Sequence, residues 1–494
     1  VNYLIEPWAH QLEGQKRAMA TPGLSYGLFF EPGCGKTGAL INILREMFNK
    51  ERRIMRTLIL CPPIVINNWK NEFKLHSKID QQKIILLKGK GITRRRDMIQ
   101  KCFSITEDGP TPMPSIVITN YETLSMDVYE LFEQWEPEIF VFDESHYLKT
   151  HKSKRSKKAF LLANPKGRKT IKYLLTGTPI LNSPTDIFQQ FKIMDGGETF
   201  STNFYGFRAK YLIDRNAGMP RANYYPKWEA KTLKQDGVSS YDMLSDGIFK
   251  KAMMVKKVNC LDLPPFTHQK LTVDMTSQQK TMYQEMKRDF ITYVDGEACV
   301  ATLALTKGLR MLQICSGFYK TEKGEEIDIK NNPKERALED LLSGLLATNK
   351  VIIWAVYKRN YEHIARVCNK LKIKAVAVHG GISEKEKKKA VDSFNKDPKV
   401  RVFYGHPASG GIGINLVAAS YSIFYSRNFS LGESLQAEAR NYRGGSEIHK
   451  KITRIDLAMK GSIDELVMEK LSQKIDMSTR ILTDLTHEIK NRYR

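Results

Sequence analysis

Nowhere in this 494-residue chain do two cysteines stand close enough in sequence to make a zinc knuckle or a redox motif. The seven, Cys34, Cys61, Cys102, Cys260, Cys299, Cys315 and Cys368, are scattered and odd in number, which fits a reducing compartment better than a disulfide framework. Long apolar runs are also missing. The stretch 351–356 is strand length, far short of the ~20 residues a membrane helix needs. The opening residues, Val1-Asn2-Tyr3-Leu4-Ile5-Glu6, lack the charged lead-in and apolar core of a signal peptide. No membrane partner is expected, and a cytoplasmic protein is. No low-complexity tract or internal repeat stands out. Acidic residues are in short supply: 54 against 78 Lys and Arg, a formal charge of +24. That excess gathers phosphate polyanions and predicts salt-dependent nucleic-acid binding through counterion release. A basic surface kept for solubility is the alternative.

What is present is a regular alternation. Short β-branched runs alternate with helical stretches, the pattern of a parallel sheet covered by helices on both faces. In the first half strands are predicted at 27–30, 57–60, 116–119, 139–142 and 172–175. In the second half they fall at 351–356, 375–378, 400–404, 422–425 and 452–457. At 494 residues the chain is too long for one ordinary core, so two or three domains are expected. The expected division is a first α/β lobe over 1–195, an insertion on it with a crossing segment over 196–265, and a second lobe with a helical lead-in over 266–494. The insertion carries Tyr205, Tyr211, Tyr224, Tyr225 and Trp228 among many cations. It is either a base-stacking surface or a packed structural lobe.

Glu31-Pro32-Gly33-Cys34-Gly35-Lys36-Thr37 follows an apolar strand and opens a helix with Leu40, Ile41, Leu44 and Met47 on one face. A phosphate-binding loop requires that context. Glycines let backbone N–H groups approach phosphate oxygens, and the helix N-terminus adds positive potential. Lys36 then neutralises the terminal phosphates of ATP, and the Thr37 hydroxyl ligates Mg2+. The general phosphate-loop pattern asks for a further glycine where Phe30 stands. Downstream, Phe140-Val141-Phe142 ends in Asp143-Glu144-Ser145-His146. Two carboxylates at the end of a buried strand are costly without partners. Mg2+ is the expected partner of Asp143, and Glu144 is the expected group to polarise the attacking water. A solvent-exposed acidic pair is the bland alternative.

With Leu174-Leu175-Thr176-Gly177-Thr178-Pro179 following it, the acidic box resembles that of superfamily-two helicases, and of their Swi/Snf branch most closely. The resemblance runs through most of the chain. Residues 4–14, with His10-Gln11, look like the adenine-sensing segment. Cys61-Pro62-Pro63 to Asn68-Trp69 and Ile118-Thr119-Asn120-Tyr121 are similar to the first DNA-contacting motifs. Gly410-Gly411-Ile412-Gly413-Ile414-Asn415-Leu416 matches a Gly-Gly-x-Gly-Ile-Asn-Leu string, and Gln436, Arg440 and Arg443 follow at the family's spacing. Ser145 departs from the commoner alanine, and Gly444-Gly445-Ser446 departs from the usual Gly-Gln after the arginine.

The resemblance implies two RecA-like parallel-sheet lobes in tandem with an inserted, mostly helical or irregular segment. It implies a DNA-stimulated ATPase using ATP and Mg2+. Gln11, Gly33, Cys34, Gly35, Lys36, Thr37 and Gly413 would hold ATP, with Thr37 and Asp143 on the metal. Glu144, Gln436, Arg440 and Arg443 would be catalytic. The i, i+4, i+7 spacing of the last three predicts one helix face, whose arginines could reach a γ-phosphate on the other lobe. A solvated arginine face with Glu438 as partner is the alternative. Thr176 and Thr178 would couple the lobes. Asn68, Thr119, Asn120, His379, Gly380 and Ser409 would contact DNA, duplex, forked or branched, and the basic run from Lys149 to Lys158 could join them or be a solvated helix face.

Three functional classes compete. A small-molecule phosphotransferase would not need the Gly413-Ile414-Asn415 string or distant arginines. A non-catalytic clamp would not keep Lys36, Glu144 and Arg443. A motor on DNA accounts for all of them, either remodelling forked or branched DNA or translocating on duplex without unwinding; the Swi/Snf string favours it over an RNA helicase. The compact layout suggests a prokaryotic or phage enzyme acting on repair or replication intermediates.

Overall fold

The computed structural model describes residues 3–88, 93, 96–97, 115–126, 128–219, 226–231, 239–295, 301–321, 323–408 and 414–482. Two compact units emerge. The first holds the chain up to Arg215 with Lys227–Leu261, and the second holds Asp262–Ile475.

The first unit is built on seven parallel strands: β1 (Tyr26–Phe30), β2 (Thr57–Cys61), β3 (Ile84–Leu87), β4 (Ile116–Asn120), β5 (Ile139–Asp143), β6 (Ile171–Leu175) and, after a hairpin of β7 (Leu212–Asp214) and β8 (Trp228–Ala230), β9 (Ala252–Val255). Their spatial order is β3-β4-β2-β5-β6-β1-β9. Strands β1, β2, β4 and β5 are buried at every residue, which is why they read as unbroken apolar runs rather than as alternation. Three helices matter most for the site: α1 (Ala9–Ala20), α2 (Lys36–Glu51) and α3 (Ile66–His76).

The order places β5, β6 and β1 side by side. Asp143 pairs in register with Leu175, and Leu175 with Leu28. Parallel strands end on the same edge, so the loops leaving these three converge there: the phosphate loop, the acidic box and the Thr176–Thr178 turn.

The span 196–265 is not a free-standing body. Phe200, Phe207, Tyr211, Leu212 and Ala230 are buried in the first unit's core beside Phe188 and Phe191, and β9 completes its sheet. Packing therefore accounts for most of its aromatic content. Tyr205 is exposed, with the Arg208 guanidinium 5.2 Å from its ring centre and 4.0 Å from that of Trp228. Tyr224 and Tyr225 lie outside the described residues.

The second unit has six parallel strands: β10 (Phe266–Val273), then, after a hairpin of β11 (Phe318–Lys320) and β12 (Glu326–Asp328), β13 (Val351–Trp354), β14 (Lys374–Val378), β15 (Val400–Gly405), β16 (Tyr421–Phe424) and β17 (Ile452–Met459). They lie in the order β10-β17-β16-β13-β15-β14. The helical lead-in expected for the second lobe includes two helices, Ser277–Asp295 and Ala301–Cys315.

A buried charge cluster ties β17 to its neighbours. Asp456 accepts bonds from Arg427 at 2.8 Å and Arg454 at 2.9 Å, and lies 2.6 Å from His268 on β10. Both arginines also lie over the Phe424 ring. Burial would raise the Asp456 carboxyl, but Arg427, the His268 bond and Arg454 together outweigh it and hold the group far below the ordinary carboxylate range. Asp456→Asn would leave Arg427, only 7% exposed, without its counter-charge. The expected cost is about 3–5 kcal/mol, read as a lower denaturation midpoint, and an unchanged midpoint would refute the assignment. The sign with pH follows. Because the folded pKa is depressed, this contribution is fully present above the unfolded pKa of about 3.9 and is lost as pH falls below it toward the folded value.

Candidate nucleotide site

The phosphate loop is held in shape by residues far from it in sequence. Gly33 and Gly35 have φ of +95° and +71°, conformations that an L side chain resists. A Cβ on Gly35 would sit 2.2 Å from the Gln11 amide nitrogen, so the close approach of α1 also requires glycine there. Gln11 donates from Nε2 to the Gly35 carbonyl at 2.9 Å and accepts from the Trp8 amide at 2.8 Å. His10 Nε2 lies 2.8 Å from the Cys34 carbonyl, which only accepts, so that nitrogen carries the proton. Burial lowers the His10 pKa against the raising effect of that bond. The Cys34 amide donates to the Glu31 carbonyl, and Glu31 in turn accepts from the Lys257 amide at 3.0 Å. Phe30, where the general pattern asks for glycine, is fully buried. Its ring lies so close to Gly14 that a Cβ there would meet it at 2.9 Å.

Lys36 is the first residue of α2, and its Nζ lies 3.5 Å from Glu144 Oε1. Burial would pull the Lys36 pKa down, but Glu144 and Asp143 raise it overall, so the ammonium stays charged. The two carboxylates respond differently to one environment. Burial pushes Asp143 up to about 6, against the opposing pull of Lys36 and with the Glu144 charge adding to the rise. Glu144 is also desolvated, but Lys36, His146 and the Thr176 hydroxyl outweigh burial and lower its pKa. Glu144 therefore stays ionised, the state that a base requires.

The backbone at Glu144 is left-handed, φ 53° and ψ 54°, a strained choice for a non-glycine residue costing about 1–2 kcal/mol. Surrounding bonds hold it there. Trp69 Nε1, fully buried on α3, donates to Asp143 Oδ2 at 2.9 Å, and Tyr121 Oη donates to the Asp143 carbonyl at 2.7 Å. Ser145 Oγ donates to Gln190, whose amide nitrogen donates to the Pro179 and Asp186 carbonyls. Thr176 Oγ1 donates to Glu144 Oε2 at 3.2 Å and accepts from the Thr178 amide at 3.1 Å. Its single proton being committed, His146 Nδ1, 3.0 Å away, is the donor in that contact. Gly177 lies against the phosphate loop, where an added Cβ would meet the Glu31 Cα at 2.9 Å. Thr176 is thus bonded directly to the acidic box, and Thr178 reaches it through Thr176.

The structure assembles Gln11, Gly33, Cys34, Gly35, Lys36, Thr37, Asp143, Glu144, Thr176 and Thr178 at one edge of the first sheet. The DNA-contact candidates divide. Asn68 and Gly380 are exposed and His379 is half-buried, stacked on Tyr361. Thr119 is fully buried and its hydroxyl bonds the Leu87 carbonyl; Asn120 is buried and caps the following turn through Thr123. Both side chains serve the fold and are not presented at the surface. Of the basic run, Lys149 pairs with Asp186, Arg155 with Glu122, and Lys158 covers the Tyr129 ring, while Lys152, Lys154 and Lys157 are exposed. Ser409 and Gly413 lie outside the described residues.

One expectation is corrected. Gln436 lies on a helix, Leu431–Glu438, but that helix ends before Arg440 and Arg443, so the three do not share a helix face. The Leu416 amide takes the Arg440 carbonyl at 2.9 Å, and the Asn441 side chain donates to the Ala419 carbonyl. These bonds draw the chain away from the helical path. Gly445, with φ of +97°, turns it further. Glu438 accepts from Arg454 at 3.1 Å.

His10, Trp69, Tyr121 and Gln190 support the site without having been assigned to it. His10, Trp69 and Tyr121 lie within recognisable motifs, but nothing in their spacing says that they buttress the loop and the acidic strand.

Two parallel α/β lobes, one of them with a phosphate loop beside a strand-end carboxylate pair, define a two-lobed P-loop nucleotide-binding protein. The comparisons give the family. The SNF2-related domain matches residues 20–324 and the helicase conserved C-terminal domain matches 333–445. The chain belongs to the SNF2-related family. It is 26% identical over 450 residues to the DNA repair and recombination protein RDH54 of Saccharomyces cerevisiae, covering 87% of this chain and 46% of that protein. A SWI/SNF-related matrix-associated actin-dependent regulator of chromatin subfamily A-like protein 1 homolog from Caenorhabditis elegans is 24% identical over 461 residues, covering 90% and 58%. The chain thus spans about half the length of these relatives. A solved Sulfolobus solfataricus SWI2/SNF2 ATPase core in complex with dsDNA aligns with a TM-score of 0.42 at 20% identity, covering 98% of this chain and 93% of that one. Among the described residues no helix is long and apolar enough to cross a membrane.

Proposed function

We propose that this chain is an ATP-driven motor that moves on DNA and remodels forked or branched DNA in replication, repair or recombination. The observation that carries the reading is the 3.5 Å contact of Lys36, at the N-terminus of α2, with the buried Glu144 carboxylate beside Asp143. Such a cation, placed where loop amides and a helix N-terminus converge, is suited to terminal phosphates.

Mg2+ fits the donor set. Asp143 and Thr37 offer hard oxygen donors, and this ion is usually held by one or two carboxylates with substrate phosphates rather than by a protein cage. When bound, it supplies charge neutralisation at the phosphates. The chain's own residues do the rest. Lys36 leaves Glu144 for the γ-phosphate, which frees an ionised carboxylate to orient water and take its proton. Thr176, bonded to Glu144, carries the change into the Thr176–Thr178 turn, and release of phosphate restores the Lys36–Glu144 pair. Arg440 and Arg443 are assigned, from the family resemblance, to charge developing on the γ-phosphate. Arg443→Ala is expected to lower turnover about a thousandfold with little change in ATP affinity. A loss confined to affinity would contradict that role.

The excess of 24 positive charges supports a polyanionic track, and the yeast relative is named for DNA repair and recombination. Exposed Asn68, Gly380, Lys152, Lys154 and Lys157 are the proposed backbone contacts. The second reading is translocation on duplex without strand separation. Displacement assays on forked, four-way and triplex DNA decide between them. Unwinding or branch movement supports remodelling, and triplex displacement alone supports pure translocation. ATP turnover without any displacement would overturn both.

A further inference from the structure

The two cysteines nearest the phosphate loop, 226 residues apart in sequence, lie with their sulfurs 3.4 Å apart. Cys34 stands between Gly33 and Gly35 and is fully buried; Cys260 is partly exposed, close to the point where the chain leaves the first unit. Their segments are already joined twice. The Glu31 amide donates to the Val255 carbonyl at 2.9 Å, and the Lys257 amide donates to the Glu31 carboxylate at 3.0 Å. A disulfide needs sulfurs about 2.05 Å apart, so the pair has little more than an ångström to close.

We infer that Cys34 and Cys260 form a thiol oxidation site whose reversible disulfide locks the phosphate loop and weakens nucleotide binding. The inference rests on the nucleotide-site reading above. Cys260 is the residue that a peroxide reaches. The Cys34 thiol beside it favours the thiolate there, while Cys34 itself is held protonated by that contact and by burial. The Cys260 thiolate attacks one oxygen of hydrogen peroxide, giving a sulfenic acid and hydroxide, which takes a proton to become water. Cys34 sulfur then attacks the Cys260 sulfur: the S–S bond forms, the S–O bond breaks, and the Cys34 proton leaves with the hydroxyl as a second water. Two thiols are oxidised and one peroxide is reduced.

The link acts on the loop because Cys34 cannot move alone. Its carbonyl holds His10 at 2.8 Å, and its amide bonds the Glu31 carbonyl. Drawing its side chain toward Cys260 re-aims the amides on either side, which must face phosphate oxygens for binding. Loss of one such charge-assisted bond lowers affinity about tenfold or more.

The test treats the full chain with hydrogen peroxide, then reads non-reduced peptide masses and MgATP affinity. Expected are a Cys34–Cys260 peptide two hydrogens lighter than its thiols, affinity lowered about tenfold or more, and recovery of both on adding dithiothreitol. Cys260→Ser, which should bind MgATP normally when reduced, is expected to keep that affinity through the same treatment. Absence of the linked peptide overturns the inference, as does a linked protein that binds MgATP like the reduced one, or equal loss in Cys260→Ser. Failure of the reduced wild type to bind MgATP would instead count against the nucleotide-site reading.

Discussion

Lys36→Ala is expected to abolish nucleotide-dependent turnover, by at least about a thousandfold. Two losses combine. The first is the cation at the phosphates. The second is internal: Asp143 and Glu144 are both buried, and Lys36 is the charge that opposes the desolvation of each. Without it both carboxyl pKa values rise, so the metal ligand and the base drift toward their neutral, inactive forms together. The measurement is steady-state hydrolysis alongside MgATP affinity, with a thermal melt to establish that the variant is folded. A folded variant with turnover near wild type would remove Lys36 from the site.

Glu144→Gln is expected to separate binding from chemistry. The amide is close in size and can still bond Thr176, so the loop, Lys36 and Asp143 keep their places and ATP binds. What is lost is the proton acceptor, and turnover falls about 10⁴-fold, the upper end of what a positioned base contributes. Affinity should rise slightly or hold, because Lys36 no longer has a carboxylate competing with the γ-phosphate for it. Single-turnover hydrolysis with a separate binding assay checks both parts. Turnover near wild type, or binding lost in parallel with turnover, would contradict the assignment.

These effects concern residues visible in the sequence, and the reason is local chemistry. A phosphate loop is one contiguous turn, and the acidic box ends one buried strand, so both announce themselves over a few residues. All ten strands expected from apolar runs are present, with ends shifted by two residues or fewer, because doubly covered parallel strands are apolar throughout. The strands that escaped lie mostly at sheet edges. Phe266–Val273 has no fully buried residue and carries three consecutive exposed polar residues, His268, Gln269 and Lys270, so it lacks the apolar run of a covered strand; Ala252–Val255 and Ile84–Leu87 are edge strands of four residues each.

The missed parts of the site are long-range. Trp69 meets Asp143 across 74 residues, and Cys260 meets Cys34 across 226, distances over which no spacing rule operates. The arginine helix failed for a different reason. Its periodicity was sound, but backbone bonds from Leu416 and a side-chain bond from Asn441 redirect the chain at Arg440. Tertiary hydrogen bonding overrode helix pattern there. Thr119 and Asn120 differ: they are buried on a strand end, and motif membership says nothing about which way their side chains face.

The central claim is that hydrolysis at Lys36 and Glu144 is coupled to a DNA track. ATP turnover by the full chain, measured without polynucleotide and with single-stranded, duplex, forked and four-way DNA, tests it most directly. The account predicts low turnover alone, marked stimulation by at least one DNA form, and stimulation that falls steeply with added salt as phosphate contacts are competed away. Equal turnover in all five conditions would contradict it.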